Sequence, residues 1–311
     1  MPSAFVGQAQ AEQAADTAGC TGDEDANDGP TVTASADAAT ATTAPTVATI
    51  VSATATAAAP TSTDGTSAVD SSAAPTTAAG AGTAPEAEEI RFAGPDGELI
   101  GVLATADAPR GAVLVIHENR GLTEHIRSIP PRLAADGYTA LAIDLLSAEG
   151  GTASLPSEGD ATAALGAASE ERLIADVRAG LDELTRRAPD ASLAAIGFCF
   201  GGGMVWRLLA AGEPRLAAAV PFYGPAPEGA EFSGSPNAAV LGIYAGNDDR
   251  VNASRGSAQA SLDAAGLTNE LRTFDGVDHA FFNDTGPRYD ADAAAQAYQA
   301  MLDWFGQHLA A

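Results

Sequence analysis

A short glycine-rich segment near the middle of the chain places the strongest constraint on its fold. It reads GFCFGGGM, residues 197–204, and it directly follows the apolar run SLAAIGF. Glycine two residues before and two residues after Cys199 lets a strand turn at once into a helix, because a side chain at either position would collide with neighbouring backbone. The segment therefore predicts a nucleophile elbow, with Cys199 at a helix N-terminus that favours its thiolate.

Two other uses of such a glycine-rich segment are a buried structural cysteine and a phosphate-binding loop. The dinucleotide pattern GxGxxG is absent, and the chain has no lysine for a P-loop. In the elbow interpretation the backbone amide of Phe200 points to the place where an oxyanion would form. The segment thus favours acyl transfer over phosphate binding.

Five apolar runs predict strands that are buried on both faces of a sheet. They read AVLVIH (112–117), TALAID (139–144), SLAAIGF (192–198), LAAAVPF (216–222) and AVLGIYA (239–245). A hairpin of EIRFA and ELIGVLA is expected before them. Helices are expected over 170–187, where four aliphatic side chains share one stripe, and near 291–309. This alternation indicates an α/β fold with a mostly parallel, doubly wound sheet, helices on both faces, and a crevice at the carboxyl ends of the strands.

Composition divides the chain into two parts. Residues 1–85 form an acidic stretch rich in Ala, Thr and Pro that has few aromatic or long aliphatic residues. Such a segment cannot bury enough apolar surface to offset its conformational entropy, so we expect a disordered tail. The folded domain is expected over 86–311, which is long enough for one α/β core.

The net charge of −26, with arginine as the only strongly basic residue type, limits the partners that the chain can bind. An acidic surface repels phosphate backbones, so no nucleic-acid partner is expected. Adaptation to high salt is one hypothesis for this charge. No run is long and apolar enough for a transmembrane segment, and no secretory signal is evident, so a cytoplasmic location is expected. The alternative is surface tethering through the tail, because TAGC at Cys20 faintly resembles a lipoprotein attachment site.

The acid and the base that an elbow nucleophile requires should follow it in the order Asp, then His. The segment GNDDRV follows the strand that ends near 245 and offers two acids, Asp248 and Asp249, with Asp248 the better placed. Between the two, the sequence alone does not decide. His279 follows the late strand ELRTFDG and is the predicted base, whereas His125 lies in a polar helical start.

The loop IHENRGL, which follows the first parallel strand, is the third element of the predicted site. It should supply a second oxyanion amide, from Asn119. Glu118 lies beside it, where its carboxylate could contact the thiol of Cys199. Like-charge repulsion would then oppose thiolate formation until substrate arrives. The sequence HEN at His117 lacks the HExxH spacing, and no metal site is predicted.

Together, VIHENRGL, GFCFGGG, NDDRVN and DHAFFNDTGPRY resemble the dienelactone hydrolase (carboxymethylenebutenolidase) family of the α/β-hydrolase superfamily, from about residue 90 to the C-terminus. The resemblance implies a monomer with a triad of Cys199, His279 and Asp248, and with Glu118 partnering the thiol before substrate binds. It also implies hydrolysis of an ester or lactone through a cysteinyl acyl-enzyme without a cofactor.

The sequence departs from this family at the arginines that hold a substrate carboxylate. No arginine follows the strand TALAID, and Ala, Phe and Phe follow His279. Arg120 and Arg288 are the nearby cations nominated for substrate binding, although Arg288 could equally cap the last helix or pair with surface carboxylates. Two alternatives to a hydrolase remain open, namely a non-catalytic binding protein and an acyltransferase on the same fold.

Overall fold

The structure is a computed structural model, and it describes residues 85–309. The predicted domain, 86–311, falls within this range except for its last two residues. The predicted tail, 1–85, lies outside the described residues except for Pro85.

Eight strands form one sheet in the order β1-β2-β4-β3-β5-β6-β7-β8. The first two pair as an antiparallel hairpin, β2 pairs antiparallel with β4, and all the remaining pairs are parallel. This is the mostly parallel sheet that the sequence predicts. The strands are β1 Ala87–Ala93, β2 Glu98–Ala104, β3 Ala112–Ile116, β4 Thr139–Asp144, β5 Leu193–Phe198, β6 Leu216–Phe222, β7 Ala239–Ala245 and β8 Asn269–Phe274.

Residues 85–309 also contain eight α-helices, of which the last follows β8. They are α1 Glu124–Arg127, α2 Ile129–Ala135, α3 Glu158–Ala167, α4 Glu170–Arg187, α5 Phe200–Ala210, α6 Asp249–Asn252, α7 Arg255–Ala265 and α8 Ala291–His308, with two 3₁₀ turns, Ser147–Glu149 and Thr152–Ser154, after β4. Helices α3, α4, α5 and α7 contribute to one core cluster, whereas α1, α2 and α8 contribute to the other. The helices therefore cover both faces of the sheet.

Alternation along the central strands divides the core between these two faces. In β3, Leu114 packs into one cluster, and Val113 and Val115 pack into the other. Successive side chains of a strand point to opposite faces, and here both faces are covered. A strand in this position needs apolar residues throughout, which is why it reads as a continuous run rather than an alternating one.

Helix α4 shows how local sequence fixes an element. Its side-chain stripe of Leu173, Val177, Leu181 and Leu184 is fully buried, as its spacing predicts. The hydroxyl of Ser169 caps the first turn by accepting a hydrogen bond from the amide of Arg172 at 3.2 Å. Acidic residues in the first turn and arginines in the last turn complement the helix dipole.

Asp176 is a carboxyl group buried inside this same helix, with 3% of its surface exposed. Its charged partner is Arg172, with Nη1 at 3.5 Å from Oδ2. Burial raises the pKa of Asp176 to about 6, and Arg172 offsets only part of that rise. Because the pKa in an unfolded chain is about 3.9, the folded state binds the extra proton.

The stabilising effect of this protonation is present at low pH and is lost as the pH rises through about 6. We therefore expect Asp176→Asn to raise the free energy of unfolding at pH 7.5 by about 1–3 kcal/mol, and by less at pH 4.5. Urea unfolding at both pH values measures this difference. The exposed Asp107→Asn serves as the control and should show no such dependence, and an Asp176→Asn protein no more stable than wild type at pH 7.5 would contradict the argument.

Within residues 85–309, no helix has the length and apolar character needed to cross a membrane.

Candidate active site

The elbow forms where the sequence predicts it, between β5 and α5. Cys199 occupies the N-cap position of α5 with φ 54° and ψ −112°, a conformation that few side chains adopt, and 3% of its surface is exposed. Its amide donates to the carbonyl of Phe222 at 3.1 Å, and its carbonyl accepts from the amide of Gly203 at 3.0 Å. Backbone contacts on both sides thus hold Cys199 in a strained conformation, as is common at functional sites.

Two glycines make this turn possible. A Cβ placed on Gly197 would lie 2.1 Å from the carbonyl oxygen of Gly201, and a Cβ on Gly201 would lie 2.3 Å from that of Ile116. Both contacts are with backbone atoms, which cannot rotate away. The elbow and the end of β3 therefore approach more closely than any side chain would allow.

The predicted acid and base meet in the structure. Nδ1 of His279 lies 2.5 Å from Oδ2 of Asp248, and Oδ1 of Asp248 accepts from the amide of Val251 at 3.2 Å. Asp249, the rival acid, is exposed at the start of α6. The geometry therefore pairs His279 with Asp248, the choice that the sequence left open.

The pKa of Asp248 reflects opposing influences. Burial alone would raise it, but the hydrogen bond and charge of His279, together with smaller contributions from the amide of Val251 and from Arg250, outweigh burial and lower it. Asp248 is consequently ionised at neutral pH and accepts a hydrogen bond from Nδ1–H of His279. That tautomer leaves Nε2 as the proton-accepting atom of the ring.

His117, whose surrounding sequence lacks the spacing of a zinc motif, shapes the loop after β3. The ring is fully buried, with Nδ1 2.6 Å from the carbonyl oxygen of Glu118 and Nε2 3.0 Å from the amide nitrogen of Leu145. Burial lowers the pKa of His117 despite the nearby Asp144, so the ring is neutral. Its Nδ1–H donates and its Nε2 accepts, which ties the carbonyl that precedes the predicted oxyanion amide to the backbone directly after β4.

Asn119 and Glu118 both lie buried in this loop. The side chain of Asn119 donates to the hydroxyl of Thr162 on α3, at 3.3 Å. Oε2 of Glu118 accepts from the side-chain amide of Asn283 at 2.8 Å, whereas Oε1 accepts no hydrogen bond from the described part of the chain. Asn283, four residues after His279, is a site residue that the sequence analysis missed.

Tyr223 is a second residue that the sequence analysis missed. It follows β6, has φ 35°, is fully buried, and packs its ring edge-on against the ring of His279 at 5.1 Å. In residues 85–309 the non-glycine residues with positive φ are Cys199, Tyr223 and Ala280, which adjoins His279. Backbone strain is thus concentrated in one region of the fold, beside the acid–base pair.

The two nominated arginines differ in their surroundings. Arg120 is half-buried, and its Nη1 lies 3.0 Å from Oε2 of Glu158 on α3. Arg288 is also half-buried but forms no ion pair with a carboxylate of residues 85–309. Its charge opposes the rise in the pKa of Tyr223 that burial and Glu118 cause, so Arg288 lies within electrostatic range of Tyr223. The capping position of α8 belongs to Asp290.

His125 is more buried than a polar helical start would suggest. Its ring packs edge-on against Phe198 and Phe282, and its Nδ1 lies 2.7 Å from Oδ1 of Asp284. This contact ties α1 to the loop that carries His279. Across residues 85–309, no three His, Cys, Asp or Glu side chains are grouped closely enough to share a metal ion.

A mostly parallel sheet with a strained residue between β5 and α5, and with an Asp–His pair after later strands, defines an α/β hydrolase. Residues 99–309 match the sequence profile of the dienelactone hydrolase family, and the chain belongs to that family. The fold and the family that the motifs predict are therefore both confirmed.

Individual relatives agree with this assignment. A protein of Escherichia coli described as "Putative carboxymethylenebutenolidase" is 34% identical over 218 residues, which cover 65% of this chain and 79% of the relative. A protein of Yersinia pestis with the same description is 33% identical over 227 residues, 68% of this chain and 84% of the relative. The chain is therefore a hydrolase of the class that acts on esters or lactones.

Solved structures show the same fold. A dienelactone hydrolase from Klebsiella pneumoniae, so described provisionally, superposes with a TM-score of 0.63 at 29% identity, covering 72% of this chain and all of that one. A dienelactone hydrolase-like promiscuous phosphotriesterase from metagenomic libraries gives a TM-score of 0.62 at 26% identity, covering 73% and 99% of the two chains.

Proposed function

We propose that this protein hydrolyses a small ester or lactone through a thioester on Cys199. The pairing of His279 with Asp248 at 2.5 Å is the observation that carries the proposal, because it fixes the tautomer that a general base requires. The strained position of Cys199 at the start of α5 supports its role as the nucleophile. The descriptions of the relatives support an ester or lactone substrate.

In the first half of the reaction, Nε2 of His279 takes the thiol proton as the sulfur of Cys199 attacks the carbonyl carbon. The backbone amides of Asn119 and Phe200 hold the resulting oxyanion. When this intermediate collapses, the carbon–oxygen bond to the leaving group breaks and His279 returns the proton to the departing oxygen. An ester releases an alcohol, whereas a lactone opens and stays attached as the thioester.

In the second half, water replaces the leaving group. His279 takes a proton from the water, whose oxygen attacks the thioester carbonyl within the same oxyanion site. The carbon–sulfur bond breaks, the sulfur of Cys199 recovers its proton, and the carboxylic acid departs. Asp248 stabilises the imidazolium form of His279 in both halves.

The test of this proposal is to trap the thioester. Reduced wild-type protein is mixed with each of a panel of small esters and lactones, in low and in molar salt. The reaction is quenched in acid within the first turnovers, and the peptides are analysed by mass spectrometry. We expect an acyl group on the peptide that contains Cys199, released by neutral hydroxylamine. Hydrolysis without an acylated Cys199 would overturn the cysteine mechanism.

The same assay separates the alternatives. An acyltransferase would pass the acyl group to an added alcohol or amine faster than to water. A binding protein would retain affinity for a substrate analogue without turnover. Hydrolysis that is unaffected by added acceptors favours the hydrolase.

Arg288 is the proposed contact for a substrate carboxylate, since Arg120 is already paired with Glu158. We expect Arg288→Gln to lower kcat/KM about 10- to 100-fold for an ester that carries a carboxylate, because a charged hydrogen bond contributes about 1.5–3 kcal/mol. A neutral ester with the same leaving group should be hydrolysed at nearly the wild-type rate. Steady-state kinetics on the two esters gives both values.

Arg120→Gln is the matched control for this substitution, because it removes the same charge from a neighbouring loop. Arg120→Gln should lower kcat/KM only slightly, and by the same factor for both esters. Equal losses on both esters with Arg288→Gln would exclude carboxylate binding by Arg288.

A further inference from the structure

A pocket of about 320 Å³ lies between α2, the loop that carries His279 and the start of α8. Cys199, Asp248 and His279 are not among the residues that line it, so the pocket is separate from the candidate active site. Rings and methyl groups form most of its wall, and its charged lining residues are Arg132 and Asp284. A cavity of this size and mixed character is typical of a site for a small organic molecule.

Arg132 presents its guanidinium at this wall in one orientation. Its Cζ lies over the ring of Phe282, 5.3 Å from the centroid, and over the ring of Tyr298 at 4.7 Å. The hydroxyl of Tyr298 donates to Oδ2 of Asp136 at 2.7 Å, which anchors that ring. A guanidinium stacked on aromatic rings keeps its N–H groups at the edge of its plane. The rings therefore hold the charge in place without using its donors.

The N–H donors of the Arg132 guanidinium have no acceptor within residues 85–309. The side chain donates no hydrogen bond and forms no ion pair in that part of the chain. Asp284, the other charged residue of the pocket, instead places Oδ1 2.7 Å from Nδ1 of His125. A carboxylate is an acceptor whose two oxygens match the paired donors of a guanidinium. The pocket thus supplies a positive charge and leaves its counter-ion to a ligand.

The rest of the pocket suits a flat apolar group. Tyr289, which lines it, is 44% exposed and is the one exposed large apolar side chain of residues 85–309. Ala291, Ala294 and Ala295 line the pocket from α8, and their methyl groups leave space that longer side chains would fill. A ring placed in this space removes apolar surface of Tyr289 from water, which is favourable.

The charges of the pocket favour a monoanion. Arg132 supplies one positive charge, and the carboxylate of Asp284 in the same wall repels a second negative charge on a ligand. A phosphate monoester carries most of that second charge at neutral pH, because its second pKa is about 6. A carboxylate is therefore the better match.

We propose that this pocket is a second ligand site, which binds a small aromatic monocarboxylate. Arg132 pairs with the carboxylate, and the ring packs against the apolar wall. The proposal goes beyond ester or lactone hydrolysis and does not depend on it. Phe282 and Asp284 flank Asn283, whose side chain donates to Glu118 in the candidate active site. The ligand therefore rests against the loop that carries the proposed general base.

The experiment is a titration of the full chain with para-fluorobenzoate, followed by the fluorine NMR signal of the ligand. The protein carries Arg288→Gln, which removes the carboxylate contact proposed for the active site. We expect saturable binding with a Kd of about 0.1–1 mM, a range that ligands of about ten heavy atoms reach. Arg132→Gln should weaken this binding about 10- to 100-fold, because a charge-assisted pair is lost. The neutral para-fluorobenzamide and the dianionic para-fluorophenyl phosphate should each bind at least about tenfold more weakly than the acid.

Two further variants separate the pocket from its charge. Ala295→Leu fills the pocket at an exposed position of α8 where leucine is a good helix former, and it should abolish binding with Arg132 intact. Arg110→Gln is the matched control. Arg110 is also stacked on an aromatic ring, with Cζ 5.2 Å from the centroid of Tyr138, but it does not line this pocket, so its loss should leave the Kd unchanged. Thermal unfolding verifies that each variant is folded.

Loss of binding with both Arg132→Gln and Ala295→Leu, and full binding with Arg110→Gln, would support the proposal. Binding that survives either of the first two substitutions would place the ligand elsewhere and overturn it. A folded protein that shows no saturable binding would overturn it as well, and so would an equal effect of Arg110→Gln, which would indicate an effect of net charge alone. No ester is cleaved in this titration, so its result is independent of the proposed hydrolysis.

Discussion

Replacing Cys199 with alanine is expected to lower kcat for ester hydrolysis about 10⁴-fold or more, because loss of a triad nucleophile removes the covalent route altogether. The residual rate should come from binding and from the oxyanion amides. Steady-state kinetics on the preferred ester measures this loss. Cys20→Ala, assayed in the same reducing buffer, is the matched control, since it removes the chain's other cysteine, and it should retain wild-type activity.

A stability measurement separates this loss from misfolding. Cys199 has φ 54°, a value that glycine adopts far more readily than alanine or cysteine. Cys199→Gly should therefore be inactive yet at least as stable as Cys199→Ala, because strained residues cost about 1–3 kcal/mol. A Cys199→Ala protein that keeps more than a tenth of the wild-type rate would place the nucleophile elsewhere.

The elements with strong local signals were predictable from the sequence. The strands of the parallel sheet are continuous apolar runs because both faces are covered, and α4 runs over 170–187 as its aliphatic stripe indicates. The elbow was predictable because steric contact at Gly197 and Gly201 admits no other residue. In each case the residues that determine the element lie within one short segment of the sequence.

Contacts between distant segments were not predictable in this way. Arg120 meets Glu158, and Asn283 meets Glu118 across 165 positions of sequence. The ring of His125 packs against Phe198 and Phe282, and its Nδ1 meets Asp284 across 159 positions of sequence. No local pattern marks these residues, since their neighbours in space come from other loops at the carboxyl edge of the sheet.

Tyr223 is an intermediate case. It follows a buried strand that the sequence identified, and any residue at that position lies at the edge where a site is expected. Its positive φ could not have been read from its residue type, because tyrosine rarely adopts it. Its position directly after β6 is the one feature of the sequence that marks Tyr223 as a candidate site residue.

Asp248 and Asp249 are adjacent, but substitution of only one of them is expected to cause a large loss of activity. We expect Asp248→Asn to lower kcat about 10²- to 10⁴-fold, whereas Asp249→Asn should remain within about twofold of wild type. An asparagine at 248 can present its NH₂ group to Nδ1 of His279, which favours the tautomer with the proton on Nε2. That tautomer cannot accept the proton of the nucleophile, so the geometry would survive while the base would be lost.

Because the pKa of Asp248 is lowered in the folded protein, the effect of Asp248→Asn on stability should depend on pH. Burial would raise that pKa, but its contact with His279 and smaller contributions leave it lowered, so Asp248 stabilises the folded state above the unfolded pKa of about 3.9 and loses that effect as the pH falls. Asp248→Asn should therefore be less stable than wild type at pH 7 and approach it near pH 3, as urea unfolding would show. If Asp249→Asn instead carried the larger loss of activity, His279 would need a different partner in the working enzyme, and the 2.5 Å contact would not be the catalytic one.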